Sequence, residues 1–142
     1  MVLSDTDLAF VAANPTAAMI TVGEDGMAKA VRVAVAVVDG RLWSSGTEGR
    51  ARTARVRRDP HCTLFVFGSG YAWVTLEATV TVLDGPDVPE LSLKMFRQLQ
   101  GKPEGPVSWF GGELDEAGFL QAMRDEGRVI YDFAVTRSYG IT

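Results

Sequence analysis

Residues 28–38 read AKAVRVAVAVV, and this stretch decides the fold. Valine occupies every odd-numbered position from 31 to 37, while the even-numbered positions hold alanine or arginine until Val38. Side chains of an extended chain alternate between its two faces, so this period of two predicts a long strand with one β-branched face. Asp39-Gly40 follows directly and is typical of a tight hairpin. We therefore expect residues 41–45 (RLWSS) to return beside this strand.

Outside this hairpin the sequence predicts further apolar strands and several helices. Ser4 can cap a first helix, which Asn14-Pro15 ends. Residues 101–112 (GKPEGPVSWFGG) are rich in glycine and proline, and we expect a loop there. In chain order, strands are predicted at residues 17–22, 28–38, 41–45, 61–67, 71–83 and 128–140, and helices at 4–13, 50–58, 88–100 and about 114–127.

The order of these elements predicts the fold class. The strands follow one another as antiparallel meanders with a late return strand, and no βαβ alternation supports a doubly wound sheet. We expect a mainly β protein, a six-stranded antiparallel split β-barrel with flanking helices. The length of 142 residues is typical of one domain, here residues 1–142 with a helical insertion at about 86–126.

Composition limits the classes of function. The net charge of −4 argues against a nucleic-acid-binding protein. No stretch has the length of a membrane span, and the N-terminus does not resemble a signal peptide. Cys62 is the single cysteine, so we expect a reducing compartment, the cytoplasm. One cysteine and one histidine also argue against a zinc site, and no metal ligand is predicted.

A concentrated basic segment stands out from this acidic background. Ser44 and Ser45 end a predicted strand, and Arg50 and Arg52 begin the next helix, where backbone N–H groups are unpaired. Arginine forks and free amides together favour a phosphate-bearing small molecule. Arg57 and Arg58 are better explained as cations at the helix C-terminus, and the role of Arg55 stays open. The segment's arginines are Arg41, Arg50, Arg52, Arg55, Arg57 and Arg58, against the one acid Glu48.

Several motifs in a fixed order carry a resemblance to a known family. They are the Asp25-Gly26 turn, residues 49–60 (GRARTARVRRDP), Glu77 within residues 71–83 (YAWVTLEATVTVL), residues 119–130 (FLQAMRDEGRVI) and the closing Arg137-Ser138-Tyr139-Gly140. With them the chain resembles the split β-barrel flavin/deazaflavin oxidoreductases, relatives of pyridoxamine 5′-phosphate oxidase. It is most similar to their actinobacterial branch that uses coenzyme F420. Ala28 and Ala134 stand where related sequences often have proline, and Arg52 where lysine is common.

The resemblance implies a homodimer whose cofactor, coenzyme F420 or alternatively FMN, lies at the subunit interface. We expect two surfaces to be buried in that interface. One is the valine face, formed by the odd-numbered valines of residues 31–37, and the other is the strand at residues 71–83. Tyr71 and Trp73 would share one strand face as an aromatic wall. The implied cofactor contacts are Arg32, Val33, Trp43, Ser44 and Ser45, with Arg50, Ala51 and Arg52 for the phosphate, and Tyr71, Ala72 and Trp73 of the partner subunit.

Three functions remain open from the sequence. The first is an F420-dependent reductase that transfers hydride to a small conjugated or aromatic substrate. The second is an FMN-dependent oxidoreductase, and the third is a non-catalytic protein that binds F420, flavin or haem. No catalytic residue is assigned, since the cofactor itself carries hydride chemistry. Trp109 and Phe110 could cover a ring-shaped substrate or anchor their loop, and anchoring is the favoured interpretation.

Overall fold

Nine strands and four helices make up residues 3–142, the part of the chain that the computed structural model describes. None of these helices combines the length and the apolar character needed to cross a membrane. The helices are α1 (Asp5–Ala13), α2 (Ala51–Arg58), α3 (Val88–Gln100) and α4 (Glu116–Asp125). The strands are β1 (Thr16–Val22), β2 (Ala28–Ala34), β3 (Ala36–Val38), β4 (Arg41–Thr47), β5 (His61–Phe67), β6 (Trp73–Leu83), β7 (Val107–Trp109), β8 (Gly112–Leu114) and β9 (Arg128–Ile141).

One bent strand closes the main sheet. The strand order is β2-β1-β5-β6-β9-β4-β3, so β2 and β3 form opposite edges although only Val35 separates them in the chain. The Val35 N–H leaves the ladder and donates to the Pro15 carbonyl at 2.7 Å. The sheet therefore curls into a split barrel, as expected. The strand predicted at residues 28–38 is divided by this bend, which makes seven strands rather than six.

The valine face points into the barrel. Val33 and Val35 are buried, and Val31 and Val37 pack against the same core, which also holds Tyr131. The expectation that this face lies in a subunit interface is therefore wrong. Burial of these β-branched side chains inside the barrel is the more favourable arrangement, because each removes its apolar surface from water within a single chain.

The outer face of β5, β6 and β9 is the exposed apolar surface instead. Phe65 stacks on Trp73 with ring centroids 5.5 Å apart, and the rings of Phe67 and Tyr139 meet this pair edge-on. Phe67, Tyr139 and Ile141 remain exposed. We call Phe65, Phe67, Trp73, Tyr139 and Ile141 the outer aromatic face.

The chain between β6 and β9 forms a second layer against the barrel. Helix α3 covers Trp43 and Ile130 on the outside of β4 and β9. Helix α4 and strand β7 add a smaller core built around Phe119. Residues 101–112, predicted as a loop, contain β7 and lead into β8, and these two strands pair as a hairpin through Trp109 and Gly112. The apolar residues Val107 and Trp109 give this hairpin a face to bury.

Gly46 on β4 packs closely against the barrel core near the start of α2. A Cβ atom at Gly46 would overlap the ring and hydroxyl of Tyr131. Tyr131 is fully buried and cannot move aside. We therefore expect Gly46→Ala to lower the free energy of unfolding by about 1–3 kcal/mol, the usual cost of overpacking. Urea denaturation measures this change.

Gly49→Ala is the matched control for that variant. Gly49 lies three residues further along, and a Cβ there would meet nothing within 4 Å. We expect its unfolding free energy to stay within about 0.5 kcal/mol of the wild-type value. Equal losses in both variants would contradict a specific contact between Gly46 and Tyr131.

Candidate functional site

A cavity of about 230 Å³ lies where the end of β4 and the start of α2 meet β2 and the α3–α4 insertion. Its two sides differ in chemistry. Cations and hydroxyls come from the barrel side, and apolar rings come from the insertion. The cavity is lined by Arg32, Val33, Ala34, Ser44, Ser45, Arg50, Arg52, Phe96, Leu99, Trp109, Phe110 and Arg128.

A buried polar network fixes the start of α2 at this cavity. The Thr53 hydroxyl donates to the Thr47 carbonyl at 2.7 Å and shares a hydrogen bond with the Tyr131 hydroxyl. The Glu48 N–H donates to the Gly127 carbonyl at 2.9 Å, which ties the preceding turn to the beginning of β9. Arg50 is the N-cap residue, and its side chain makes no capping hydrogen bond. It is therefore available to the cavity.

Arg52 is partly buried over the Tyr131 ring, with its guanidinium carbon 5.8 Å from the ring centroid. Its Nη2 donates to the Ser45 carbonyl at 3.4 Å, while its buried Nε has no hydrogen-bond partner among the described residues. Burial lowers the pKa of Arg52 below its usual value, and repulsion from Arg50 and Arg128 acts in the same direction. An anion beside Arg52 would relieve both effects.

Arg128, at the start of β9, was not predicted from the sequence. Only 9% of its side chain is exposed, and it pairs with Glu126 at 2.7 Å. Its Nη1 lies 3.5 Å from the Ser45 hydroxyl, and the guanidinium lies over Trp109. Arg128 stands 83 residues from Ser45 in the chain. Only the antiparallel pairing of β4 with β9 brings them together.

The two aromatic residues of the β7–β8 hairpin have different environments. Trp109 donates from Nε1 to Glu126 at 2.9 Å and packs edge-on against Phe96 and Phe119. This supports the anchoring interpretation for Trp109. Phe110 is 81% exposed and lies at the cavity mouth. Trp109 and Phe110 share one interpretation from the sequence, whereas the structure places them in different environments.

The structure brings together Arg32, Val33, Ser44, Ser45, Arg50 and Arg52 of the predicted contacts. Trp43 does not line the cavity, because it is buried beneath α3. Ala51 lines a separate groove on the other side of α2. Tyr71 and Ala72 precede β6, so the strand predicted at residues 71–83 begins only at Trp73. Tyr71 and Trp73 thus do not form one strand face.

The other arginines of the basic segment have local partners. Arg55 donates to the Thr21 hydroxyl at 2.8 Å. Arg57 pairs with Glu48 and Asp84, and these two carboxylates raise the pKa of Arg57. Arg58 donates to the Val22 carbonyl at 2.6 Å. Among residues 3–142, by contrast, neither Arg32 nor Arg50 has a carboxylate within 4 Å.

The donors around the cavity suit an anion with several oxygens. Arg52 retains an unpartnered buried nitrogen, and Arg32 and Arg50 have no carboxylate partner within the described chain. Guanidinium groups match the geometry of phosphate oxygens. The volume of about 230 Å³ is below the range of about 300–1,000 Å³ that is usual for a whole cofactor-sized ligand. The cavity therefore fits the phosphate-bearing part of a flavin-type cofactor.

Many solved structures share the fold of this chain at low sequence identity. A conserved hypothetical protein of Mycobacterium tuberculosis is 20% identical, with a TM-score of 0.75 over 99% of this chain and 86% of that one. A protein described as an F420 reductase is 16% identical, with a TM-score of 0.69 over 96% and 98%. General stress protein 26 of Bacillus anthracis is 10% identical, with a TM-score of 0.66 over 94% and 88%.

None of the curated protein sequences compared with the chain matches it. The sequence model of the pyridoxamine 5′-phosphate oxidase family, however, matches residues 3–137. This match spans nearly the whole split barrel, including both edges of the sheet and every residue that lines the cavity. The resemblance to this family is thereby confirmed, and the chain belongs to the pyridoxamine 5′-phosphate oxidase family.

Proposed function

We propose that the protein is an F420-dependent oxidoreductase that reduces a small conjugated or aromatic substrate. The observation that carries the proposal is the cluster of four arginines, Arg32, Arg50, Arg52 and Arg128, around one cavity. Coenzyme F420 bears a phosphate followed by a polyanionic tail. Arg32 and Arg50 are exposed at the cavity edge, where they could meet negative charge beyond the phosphate. The fold is also shared by a protein described as an F420 reductase.

In this proposal the chain binds and orients the cofactor. Arg52 and Arg128 would hold the phosphate, together with the hydroxyl of Ser45. Phe96 and Leu99 would exclude water from the same site. A reduced deazaflavin bound there would supply the hydride. No side chain of the chain is assigned as a proton donor, and solvent or the cofactor would provide the proton.

FMN is the second candidate cofactor. FMN also carries a terminal phosphate, which the arginines around the cavity could bind in the same way. A non-catalytic binder would use the same cavity with either cofactor. These alternatives differ in affinity and in turnover, so one set of measurements separates them.

Parallel titration with F420 and FMN tests the proposed cofactor. Quenching of the fluorescence of Trp43, Trp73 and Trp109 reports binding, and turnover with chemically reduced F420 reports activity. We expect F420 to bind more tightly than FMN at equal salt. Tenfold tighter binding of FMN would support the alternative cofactor. Binding of F420 without reduction of any of a panel of quinones and activated alkenes would indicate a non-catalytic binder.

Arg52→Ala is expected to weaken F420 binding by about tenfold to a hundredfold, because a charge-assisted hydrogen bond contributes roughly 1.5–3 kcal/mol. The loss should shrink as salt rises, since part of the attraction is screened. Arg58→Ala is the matched control on the same helix. Arg58 donates to Val22 and lies outside the cavity, so its removal should leave affinity unchanged. Equal losses would mean that α2 acts only as a diffuse positive field.

A second copy of the chain is the partner that we propose for the outer aromatic face. Phe67 is 50% exposed and Ile141 is 59% exposed, an apolar surface that favours association. Tyr71, which is 93% exposed, lies beside this face, and Trp73 is part of it. Pairing through it would bring those residues toward the other subunit, consistent with a shared cofactor site. This surface replaces the valine face in the dimer hypothesis.

Phe67→Asp is expected to convert the dimer into monomers, because the new carboxylate would be desolvated without a partner. Light scattering at micromolar concentration measures the mass. Met27→Asp is the control, since Met27 is a 62% exposed apolar residue in the β1–β2 turn, away from the outer aromatic face. A wild-type protein that is monomeric, or a dimer that Phe67→Asp leaves intact, would contradict the proposed interface.

A further inference from the structure

Two hairpins of this chain use the same turn with different residues. The β3–β4 hairpin turns through Asp39 and Gly40, with φ values of 51° and 76°. The β7–β8 hairpin turns through Phe110 and Gly111, with φ values of 48° and 79°. Both are two-residue loops in which each central residue has a positive φ, as type I′ turns require. The first hairpin therefore serves as an internal reference for the second.

Phenylalanine is a poor choice for the first position of such a turn. Asparagine, aspartate and glycine tolerate a positive φ, whereas a bulky side chain there is an outlier. Asp39 follows this preference and Phe110 does not. Burial does not compensate, because the Phe110 ring is 81% exposed and its one ring contact in the described chain is edge-on to Trp109 at 5.0 Å. The folded chain alone gives no reason for this residue.

The hairpin tip is held firmly at the arginine cavity. Trp109 is fixed through its hydrogen bond to Glu126, and the same carboxylate pairs with Arg128. The Arg128 guanidinium lies 4.9 Å from the centroid of the Trp109 ring. Phe110 projects from this anchored strand and lines the cavity mouth together with Arg50. An exposed ring thus stands next to the cations at a defined position.

We propose that Phe110 packs its ring against a planar aromatic ring system joined to the anion that the arginines bind. The inference rests on the proposed function and deepens it, because it names a residue that selects ring-bearing ligands over the bare anion. An unfavourable turn residue that meets no core is retained where it serves a ligand. The arginines recognise the phosphate, and Phe110 recognises the ring.

Phe110→Asn in the full-length protein tests this inference, because the two roles predict opposite signs. Asparagine suits the turn, so we expect the melting temperature to stay the same or rise. Binding of F420 and of FMN should weaken by roughly fivefold to tenfold, the scale of one aromatic contact. Thermal protection by inorganic phosphate, which has no ring, should equal that of the wild-type protein. Phe110→Tyr should retain wild-type affinity for both cofactors.

Asp39→Asn is the matched control in the reference hairpin. The substitution keeps a residue that suits a positive φ, and position 39 lies outside the cavity, so cofactor affinity should not change.

Wild-type cofactor affinity in Phe110→Asn would overturn the inference and leave the proposed function standing. A lower melting temperature with equal losses for cofactor and phosphate would also overturn it, in favour of a structural role. Dissociation of the proposed dimer in Phe110→Asn would also overturn the inference, because it would assign Phe110 to the subunit interface. Failure of the wild-type protein to bind F420 or FMN would overturn the proposed function itself.

Discussion

The departure of one residue from the sheet ladder governs the rest of this structure. Val35 donates its N–H to Pro15 instead of continuing the strand, and the chain on either side of it pairs with opposite edges of the sheet. The sheet must curl for one strand to reach both edges. That curl encloses the valine face and places Arg32 of β2 beside the end of β4. The cavity is a consequence of this closure, because its residues come from elements that are distant in the chain.

The barrel places several positively charged side chains close to one another around the cavity. Arg50 and Arg128 both act against the charged form of Arg52, and burial adds to their effect. Thr53 and Tyr131 keep the start of α2 in place despite this repulsion, since their shared hydrogen bond is buried inside the barrel. Glu126 neutralises Arg128 and leaves one of its nitrogens near Ser45. Electrostatic pre-organisation of this kind reduces the reorganisation needed when an anion binds.

Local sequence patterns predicted the elements of the fold but not their long-range geometry. The alternation at residues 28–38, the Asp39-Gly40 turn and the helix at residues 88–100 are local features, and the structure has them. No glycine or proline marks the bend at Val35, because the valine alternation runs through it unbroken. The role of Arg128 depends on the register between β4 and β9, which no local pattern encodes. Trp43 illustrates the same limit, since only the position of α3 decides which side of β4 is covered.

The cavity is built from two structural units. The barrel and α2 supply the cations, whose positions depend on the buried Thr53–Tyr131 network and on the closure of the sheet. The insertion between β6 and β9 supplies the apolar side, and its hairpin tip touches the barrel mainly through Trp109, Glu126 and Arg128. A change at the barrel side must disturb packing that the whole fold needs. A change at the tip need not, because Phe110 contributes little to the core. The apolar side of the cavity can therefore be altered at the insertion while the arginines and the barrel stay intact.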